Sequence, residues 1–573
     1  MKLLGFSLGM SCLFFATSLK AQIKISPGAE GAIITYATLS NGKPARGAKT
    51  IVTVVKGKAA IRSSRGGNSR ESQWIDYNTK TVYQVLELDQ GERFAWARPF
   101  AGFNQPELLN GTETVAGIPC KKAKFNINSN TVEVWYNDQY KIKATPNFTV
   151  GADLGLIVKM VRNGNYEQQI VSINTTSVNA DSLSWPKSFG SIVDEPTYME
   201  RLISSRYKTI DIFKEEQVSW GNKINNPEGE VMNQTYHFAG GTVIAKKVHL
   251  PEIKNGTSLF AKLTQHSNGD AYDRTGSVFV IPMDHSQDFL QALEKGIQHI
   301  PSFKGRNGKT YQGMIATENY SPVLELMRFF TPFGVKHFND RVKIKGYHWA
   351  DSAVYKQEIT ELAPALQGDV WICVFIGNYD KGGHTVSLEL NYYPGWGDGD
   401  ASKKYWLQPI FNTTNVMEMA GQEYGTLFDR DSLTVTVDIP EGLKNISLRY
   451  ITTGHGGWGG GDEFNPKENQ IFVDGERVYR FVPWREDCAT YRTLNPVSGN
   501  FGNGLSSSDL SRSNWCPGTL TLPVTIYLHD LQPGKHTFKV AIPLGKPEGT
   551  SFSAWNVSGV LKGEFTNAAG DTK

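Results

Sequence analysis

Short apolar segments, each about the length of a β-strand, follow one another along almost the whole chain. TVYQVLEL, TVEVWYND and LGLIVKMV in the first third, and later DVWICVFIG, HTVSLELNYY and NISLRYIT, either alternate apolar with polar residues or are continuously apolar. Both patterns are typical of strands, and the Gly-, Asn- and Pro-containing turns between them suit antiparallel connections. The chain is therefore predicted to be mainly β, built of antiparallel sandwiches or jelly rolls.

Two segments have helical spacing instead. Their apolar positions, which would share one helical face, are Tyr198, Met199, Leu202 and Ile203 in the first and Phe289, Leu290, Leu293 and Ile297 in the second. We place a domain boundary near residue 190, before the first helix. A second boundary falls near residue 395, where the Gly- and Asp-rich YYPGWGDGDASKK separates two groups of strands.

The opening MKLLGFSLGMSCLFFATSLKA has one early cation, an apolar stretch and a small residue at Ala21. This pattern predicts a signal peptide over residues 1–21. A membrane anchor is the alternative, but the apolar run is short and contains Ser and Gly. We therefore expect an exported protein, periplasmic or secreted, with domains over 22–189, 190–395 and 396–573.

Length and charge narrow the class of function. At roughly 150 residues per domain, the 573 residues indicate three or four units. The content of 39% hydrophobic and 20% charged residues suits a folded chain. A formal net charge of +3 provides no general electrostatic reason to bind nucleic acid or an anionic membrane, and we expect neither as a partner.

Four cysteines follow the predicted leader, and export permits disulfides. Cys488 and Cys516 both lie in polar, turn-rich sequence, where a bridge would stabilise the fold by about 3–4 kcal/mol in the chain-entropy model. Cys373 lies in the apolar VWICVFIG and is expected to be a buried thiol. Cys120, which follows GIP, fits either role.

Common catalytic signatures are missing from the sequence. The 11 histidines include no His-x-His or His-x-x-x-His pair, and no Cys-x-x-Cys occurs, so no metal site is predicted. No Gly-x-Ser-x-Gly marks a nucleophilic serine. GHGGWGGGDEF lacks the Lys-Ser/Thr pair of a phosphate loop. We expect neither a metal nor an organic cofactor.

Three segments, one of them GHGGWGGGDEF, could nevertheless form a site. In HSNGDAYDRTGSVFVIP, four polar or aromatic residues crowd a turn before a strand: Asp270, Tyr272, Asp273 and Arg274. Acids beside an arginine often form no more than a surface ion pair, so this turn alone decides nothing.

The other two segments are equally ambiguous when taken singly. The glycines of GHGGWGGGDEF allow a close approach to a ligand, with Trp458 available for stacking, but the segment could also be a surface loop. In SRSNWCPG, Arg512 and Trp515 could form a sugar platform or a structural corner.

Taken together, these segments resemble the peptide:N-glycosidase F family, amidases that remove N-glycans from asparagine. The resemblance covers about residues 205–573 and rests on DAYDR, RFFTPF, DEF and RSNWCPG, which occur in the family's order. It implies two tandem eight-stranded antiparallel jelly rolls. The additional residues before them resemble the family's longer variant, which has an extra bowl-like N-terminal domain.

The resemblance also implies roles for individual residues. Asp273 matches the principal catalytic carboxylate, Glu463 the second acid, and Arg274 and Arg512 the neighbouring arginines. Cys488–Cys516 matches a family disulfide. The expected substrate-binding residues are Asp270, Tyr272, Phe330, Trp458, Phe464 and Trp515.

Two departures from the family pattern are visible. Tyr272 and Phe464 stand where family members have tryptophan, which keeps the aromatic character. VFIGNY, aligned with the strand that holds a third family carboxylate, has no acid, and the nearby Asp380 is expected to be a turn residue.

The predicted function is hydrolysis of the amide between N-acetylglucosamine and asparagine, which releases the glycan as a glycosylamine and leaves aspartate. The expected partner is an N-glycosylated protein or peptide, and the protein is expected to be a monomer. Two alternatives remain: an endo-acting glycosidase, because paired carboxylates also serve glycoside hydrolysis, and a jelly-roll lectin without turnover.

Overall fold

Strands dominate the protein, as the apolar pattern predicts. The computed structural model describes residues 25, 28–45, 47, 49–64, 70–89, 91–176, 178–253, 256–395, 403–422, 427–429, 431–456, 461–544 and 553–566. The chain divides into two units, Met1–Ser205 and Arg206–Lys573. The predicted signal peptide lies outside the described residues. No described helix is long and apolar enough to cross a membrane.

The described residues of the first unit form one thirteen-stranded sheet. Its strands are β1 Gly31–Ser40, β2 Lys43–Pro44, β3 Thr50–Val55, β4 Lys58–Ser63, β5 Glu71–Asp76, β6 Thr81–Glu87, β7 Arg93–Pro99, β8 Glu107–Val115, β9 Ile118–Ile127, β10 Asn130–Asn137, β11 Leu156–Arg162, β12 Tyr166–Asn174 and β13 Ser191–Val193. They lie in the order β13-β7-β6-β5-β4-β3-β1-β12-β11-β10-β9-β8, with β2 paired to β1. Neighbours are antiparallel except for the β13–β7 pair.

This unit also contains two helices, α1 (Ala180–Leu183), which precedes β13 in the chain, and α2 (Glu195–Ser204), which follows it. Asp194 caps α2 by accepting the backbone N–H of Thr197 at 2.8 Å. Tyr198 and Leu202 are buried against the sheet residue Leu86. The other two residues of the predicted apolar face, Met199 and Ile203, are exposed. The helix therefore belongs to the first unit, whereas the sequence placed a boundary in front of it.

The second unit contains strands β14–β33 and the helix α3 (Phe289–Lys295). The strands are β14 Lys208–Val218, β15 Thr235–Phe238, β16 Val243–Leu250, β17 Ser258–Ser267, β18 Thr275–Ile281, β19 Ser302–Lys304, β20 Thr310–Gln312, β21 Leu324–Phe330, β22 Ala353–Glu358, β23 Gly368–Ile376, β24 His384–Tyr393, β25 Lys403–Asn412, β26 Leu433–Ile439, β27 Leu443–His455, β28 Asn469–Val473, β29 Glu476–Phe481, β30 Leu520–Thr521, β31 Val524–Tyr527, β32 Gly534–Ala541 and β33 Ala554–Thr566.

Four of these sheets form two sandwiches. The first sandwich pairs β14-β24-β17-β22 with β15-β16-β23-β18-β21-β30, and Leu263, Leu388, Val278 and Ile372 meet in its core. The second pairs β25-β33-β27-β31 with β26-β32-β28-β29 around a separate core. Among the described residues, the second sandwich consists of two four-stranded sheets. The first has ten strands in the part of the chain that the structure describes, not the expected eight, and one of the additional strands is β30, which comes from the C-terminal part of the chain and adds to the edge of the six-stranded sheet.

The strand β23 illustrates how burial follows from this layering. Ile372 and Val374 face the core of the first sandwich, while Trp371 and Cys373 pack beneath α3 on the opposite face of the sheet. Both faces are covered, which explains the uninterrupted apolar run in the sequence. Cys373 is a buried free thiol, as predicted, and Cys120 in the first unit is buried and free as well.

A buried ion pair joins the two sandwiches. Arg328, on β21, donates to Glu325 Oε1 (3.0 Å) and Oε2 (2.7 Å). The same guanidinium donates to the carbonyl of Asn556 (2.5 Å) and to Thr453 Oγ1 (3.2 Å), both in the second sandwich. Ser558 Oγ donates to Glu325 Oε2 at 2.5 Å. The side chains of Arg328 and Glu325 are both 0% exposed, so solvent does not reach this ion pair.

A second arginine crosses the same interface in the opposite direction. Arg449, on β27, donates to the carbonyls of Glu325 and Leu326, each at 3.0 Å, and its Nε lies 2.9 Å from Glu361 Oε1. Burial works against ionisation of Glu325, but the charge and hydrogen bonds of Arg328 leave the pKa of Glu325 below its ordinary value. The interface therefore retains its charges, and each arginine fixes one sandwich against the other.

Replacing Arg328 with Met should destabilise the second unit by about 3–5 kcal/mol, because the carboxylate of Glu325 would stay buried without its partner. Urea unfolding of the full chain, with the transition of β21 and β27 assigned by hydrogen exchange, measures this loss. The control is Lys343→Met, which removes a cation whose side chain is 73% exposed and should change stability by about 0.5 kcal/mol or less. Equal effects of the two substitutions would contradict a structural role for the buried pair.

Candidate active site

The turn before β18 is organised by Asp270. This residue is 2% exposed, and its Oδ1 accepts the backbone N–H of Tyr272 at 3.0 Å. Its two oxygens also accept from Arg274, Oδ2 from Nε (2.8 Å) and Oδ1 from Nη2 (3.2 Å). Ser267 Oγ donates to the Asp270 carbonyl at 2.6 Å. Asp270, which the family resemblance assigned to substrate binding, is thus bonded to its own turn and fixes the direction of Arg274.

A buried histidine also contacts Asp270. His384 Nε2 lies 3.5 Å from Asp270 Oδ2, and its Nδ1 lies 2.9 Å from Nε2 of Gln265. Burial opposes ionisation of Asp270, yet the adjacent His384 ring and the hydrogen bonds and charge of Arg274 hold its pKa well below the ordinary value. The turn therefore contains a permanent anion that holds Arg274.

Arg274 also lies between two tyrosine rings. Its guanidinium carbon is 5.0 Å from the ring centroid of Tyr272 and 5.1 Å from that of Tyr379. Cations at this distance from aromatic faces are attracted to them. Tyr379 in turn donates from its hydroxyl to Glu418 Oε1 at 2.9 Å. Arg274 is consequently fixed by one carboxylate and two rings.

Glu463 and Arg512 are supplied by two loops of the second sandwich that are bonded together. The backbone N–H of Ser513 donates to the carbonyl of Glu463 at 2.9 Å, and Ser513 Oγ donates to that of Asp462 at 2.5 Å. Arg512 and Arg485 exchange two backbone hydrogen bonds of 2.9 and 3.0 Å. These bonds fix the positions from which both side chains start.

The RSNWCPG segment is anchored by a disulfide and a tryptophan. The predicted bridge between Cys488 and Cys516 is present, with Cα atoms 5.1 Å apart. Trp515 is 3% exposed and donates from Nε1 to the carbonyl of Gly454 at 2.9 Å. Phe330 stacks on Trp515 with ring centroids 4.3 Å apart and is 0% exposed. Phe330 therefore supports the Trp515 ring and does not itself line a groove.

The acids of the two sandwiches meet at Arg512. Its Nη1 atom lies 3.3 Å from Asp273 Oδ2 and is also in contact with Glu463 Oε1. The Arg512 side chain is 0% exposed, while those of Asp273 and Glu463 are 16% and 14% exposed. Two carboxylates that are far apart along the chain thus share one guanidinium nitrogen and keep a small opening to solvent.

Burial determines the direction in which the pKa of Asp273 shifts. Loss of hydration raises the pKa of the Asp273 carboxyl above its ordinary value, against the opposing charges of Arg512 and Arg274. A carboxylate with a raised pKa accepts a proton more readily. The site therefore contains a potential proton acceptor directly beside a second acid.

The remaining predicted aromatic residues differ in their exposure. Tyr272 is 60% exposed and is free to contact a ligand. Phe464 is half-buried, with the Arg512 guanidinium carbon 4.9 Å from its ring centroid. Trp458 lies outside the described residues.

A pocket of about 450 Å³ connects these groups. The predicted residues Asp273, Arg274, Glu463 and Trp515 line it. Several further lining residues were not predicted from the sequence: Phe375, Tyr379, Asn415, Glu418, His455 and Asn556. His455 is the second residue of the Gly-rich GHGGWGGGDEF, and its place in that segment was the one available signal. Asn415 and Glu418 follow β25 in a segment without any recognisable motif.

Glu418 is a third carboxylate in this pocket. The family resemblance would place such an acid in VFIGNY, and the structure shows that Tyr379, the last residue of that segment, hydrogen-bonds Glu418 from a different part of the chain. Burial raises the pKa of Glu418, against the opposing effects of Tyr379 and Arg274. Asp380 is a turn residue, as expected, because its Oδ1 accepts the backbone N–H groups of Gly382 (2.7 Å) and Gly383 (2.9 Å).

A larger cavity, of about 1550 Å³, lies between the sandwiches at the start of β27. The strand residues Leu443 and Ser447 line it, whereas His455 at the other end of the same strand lines the smaller pocket. None of the candidate residues lines the larger cavity. The convergence of acids and arginines, and not volume, therefore identifies the candidate active site.

Family models and solved structures match most of the chain. The family model for the N-terminal domain of N-glycanase peptide matches residues 34–200, and those for the N- and C-terminal domains of peptide-N-glycosidase F match 209–392 and 423–562. The solved structure of PNGF-II in space group C2 is 42% identical, with a TM-score of 0.85, over 95% of this chain and 100% of that one. The chain belongs to the peptide-N-glycosidase F family.

Other comparisons add detail. A second crystal form of PNGF-II, in space group P21, is 43% identical with a TM-score of 0.86, over 93% of this chain and 99% of that one. PNGase F from Flavobacterium meningosepticum is 13% identical with a TM-score of 0.43, over 63% of this chain and 96% of that one, and adds nothing to the assignment. No curated protein matches the chain.

Membership of the peptide-N-glycosidase F family makes the chain an N-glycan amidase and confirms the predicted resemblance, the mainly β, antiparallel fold and the enzyme class. The match over residues 34–200 also confirms that the N-terminal unit is the extra domain of the longer form.

One group of possible metal ligands occurs among the described residues, Asp487 with Cys488 and Cys516. The disulfide leaves these two sulfurs without a thiolate, which is the form that binds a metal. This cluster therefore contributes to the site through the disulfide and not as a metal centre.

The imidazole of His455 should stay uncharged from about pH 5 to about pH 8. Burial, together with the charges of Arg328 and Arg512, lowers its pKa to about 3, and its Nε2 lies 2.9 Å from Thr453 Oγ1. NMR titration of the ring resonances measures this, with His455→Gln used to assign the signals. A transition of the His455 resonances near pH 6.5 would contradict the burial argument.

Proposed function

We propose that the pocket around Arg512 is where the chain hydrolyses the amide between N-acetylglucosamine and asparagine. The observation that supports this most directly is the contact of Arg512 Nη1 with both Asp273 and Glu463. Amide hydrolysis needs an activated water, a stabilised oxyanion and a proton for the departing nitrogen. Two acids and two arginines around one opening can supply all three.

Asp273 accepts a proton from the water that attacks the asparagine side-chain carbonyl. Its raised pKa makes it a stronger base than an exposed aspartate, and its partial exposure leaves room for that water. Glu463 orients the water or the sugar amide and assists the proton transfer to nitrogen. The carboxylates of Asp273 and Glu463 would repel each other, and Arg512 offsets this repulsion by contacting both.

Arg274 stabilises the negative charge that develops on the carbonyl oxygen. It lines the pocket beside Asp273, and its side chain is already oriented by Asp270. A fixed cation needs little reorganisation when charge appears, which is the basis of oxyanion stabilisation. The products are a peptide aspartate and a glycosylamine, which loses ammonia without the enzyme.

Tyr272, which is 60% exposed, is the ring against which the chitobiose stacks, and Trp515, packed between Phe330 and Arg512, contributes the part of its surface that lines the pocket, with Phe464 behind Arg512. Rings of this kind stack against the C–H faces of pyranoses. Asp270 and Phe330 act one layer further out, because each is buried against the residues that line the pocket. The mechanism as proposed needs no metal or organic cofactor.

The setting of the reaction is also part of the proposal. The leader over residues 1–21 directs export, and the Cys488–Cys516 disulfide suits an oxidising compartment, so the enzyme acts in the periplasm or outside the cell. It acts as a monomer on N-glycosylated proteins or glycopeptides, without nucleic acid or membrane as a partner.

Treating a defined glycopeptide in water enriched in heavy oxygen should place the label in a peptide aspartate. Mass spectrometry of the products decides between the alternatives, because an endo-acting glycosidase leaves one N-acetylglucosamine on an unlabelled peptide and a lectin changes nothing. Asp273→Asn should lower the rate about a hundred- to ten-thousand-fold, since the general base is lost. Asp340→Asn, at a side chain that is 98% exposed, should leave the rate unchanged. Near-normal turnover by Asp273→Asn would rule out its assigned role.

Activity should fall as the pH drops through the pKa of Asp273, because a general base works only when deprotonated. The Arg512 charge lowers that pKa, so Arg512→Gln should move the acidic limb of kcat/KM to higher pH, whereas Arg512→Lys should keep it close to that of the parent. The exposed Arg341→Gln serves as the control. An acidic limb that moves to lower pH in Arg512→Gln would refute this assignment.

A further inference from the structure

Two asparagine side chains line the active-site pocket with hydrogen-bonding atoms that have no partner among the described residues. Asn415 is 5% exposed, and neither its Nδ2 nor its Oδ1 is paired. Asn556 is 3% exposed, and its Oδ1 is unpaired. Buried polar groups nearly always have partners, and leaving one unpaired is costly, so these atoms point to a ligand.

The main chain holds both asparagines in place. The backbone N–H of Thr413 donates to the carbonyl of Val557 at 2.8 Å, and the N–H of Val557 donates back to Thr413 Oγ1 at 2.8 Å. The carbonyl of Asn556 accepts from Arg328 at 2.5 Å. These bonds tie the segment that carries Asn415 to β33, which carries Asn556, beside the pocket that both residues line.

The composition of the pocket indicates the chemistry of the ligand. An asparagine amide offers one acceptor and two donors, which complement the N–H and carbonyl oxygen of another amide. Phe375 and Trp515, 4% and 3% exposed, line the same pocket and provide apolar surface suited to a methyl group. A group with an N–H, a carbonyl and a methyl is an acetamide.

The substrate carries such a group next to the bond that breaks. In an asparagine-linked N-acetylglucosamine, C1 bears the nitrogen of the scissile amide and the adjacent C2 bears an acetamido group. Asp273 and Glu463 line the same 450 Å³ pocket as the asparagines. We propose that Asn415, assisted by Asn556, binds the 2-acetamido group of the asparagine-linked sugar and makes the enzyme selective for it, an inference that rests on the proposed function.

The test compares two peptides that differ only in the linked sugar, N-acetylglucosamine or glucose. The parent enzyme should prefer the first. Asn415→Leu, which is close in size but has no polar atom, should lower kcat/KM for the N-acetylglucosamine peptide about ten- to hundredfold and leave that for the glucose peptide unchanged. The matched control is Asn319→Leu, at an exposed asparagine outside the pocket, which should alter neither rate.

A smaller substitution and a binding measurement keep the outcome clear. If Asn415→Leu folds poorly, Asn415→Ser, which is easier to accommodate, takes its place in the comparison. Asn415→Ser should also reduce the preference for the N-acetylglucosamine peptide. Calorimetric titration with free chitobiose should show weaker binding to Asn415→Ser than to the parent. Equal loss on both peptides, or unchanged chitobiose affinity, would overturn the proposal.

The two hypotheses fail in different ways. If the parent enzyme cleaves neither peptide, the proposed function is wrong, and a chitobiose affinity that depends on Asn415 still supports the acetamido site. If the parent cleaves the peptide and Asn415→Ser retains full preference for N-acetylglucosamine, the amidase stands and the asparagine assignment fails.

Discussion

The active site depends on a buried ion pair that does not itself touch substrate. Arg328 and Glu325 bind each other on β21, and Arg328 continues into the second sandwich through Thr453 and Asn556. Asp273 is part of the first sandwich, whereas Glu463 and Arg512 are part of the second. A rotation of one sandwich against the other would separate these groups. Removing charges from water is costly, so the network contributes orientation more than net stability.

Inside the active site, Arg512 is the residue that joins groups of the two sandwiches. Two carboxylates in a poorly hydrated pocket repel each other, and one of them would normally take up a proton. A buried guanidinium in contact with both Asp273 and Glu463 offsets that repulsion. It holds the acids close enough to act on one water while burial still raises the pKa of Asp273. The same arginine packs on Trp515, its guanidinium carbon 4.4 Å from the ring centroid, so the charged and aromatic parts of the site form one unit.

Arg274 is held in place by one carboxylate and two aromatic rings. Asp270 keeps its charge because His384 and Arg274 bond it, and the tyrosine rings on either side of Arg274 restrict its movement. Tyr379 extends this arrangement to Glu418, a carboxylate from the segment that follows β25. The pocket residues around Arg274 therefore include one that follows β25 of the second sandwich, so the pocket is lined by residues of both sandwiches.

The sequence by itself determined the local features. Alternation of apolar and polar residues specifies strands and their buried faces because side chains in a strand alternate with a period of two. The family segments placed Asp273, Glu463, Arg274 and Arg512 together as candidates, and the polar context of Cys488 and Cys516 indicated their bridge. Only the tertiary structure decided which side chains are exposed and which loops meet. Asp270 and Phe330 resemble substrate-binding residues in sequence, yet packing across the sandwiches buries them. Asn415 and Glu418 carry no motif and reach the pocket because β25 ends there, a consequence of long-range packing that no local pattern records.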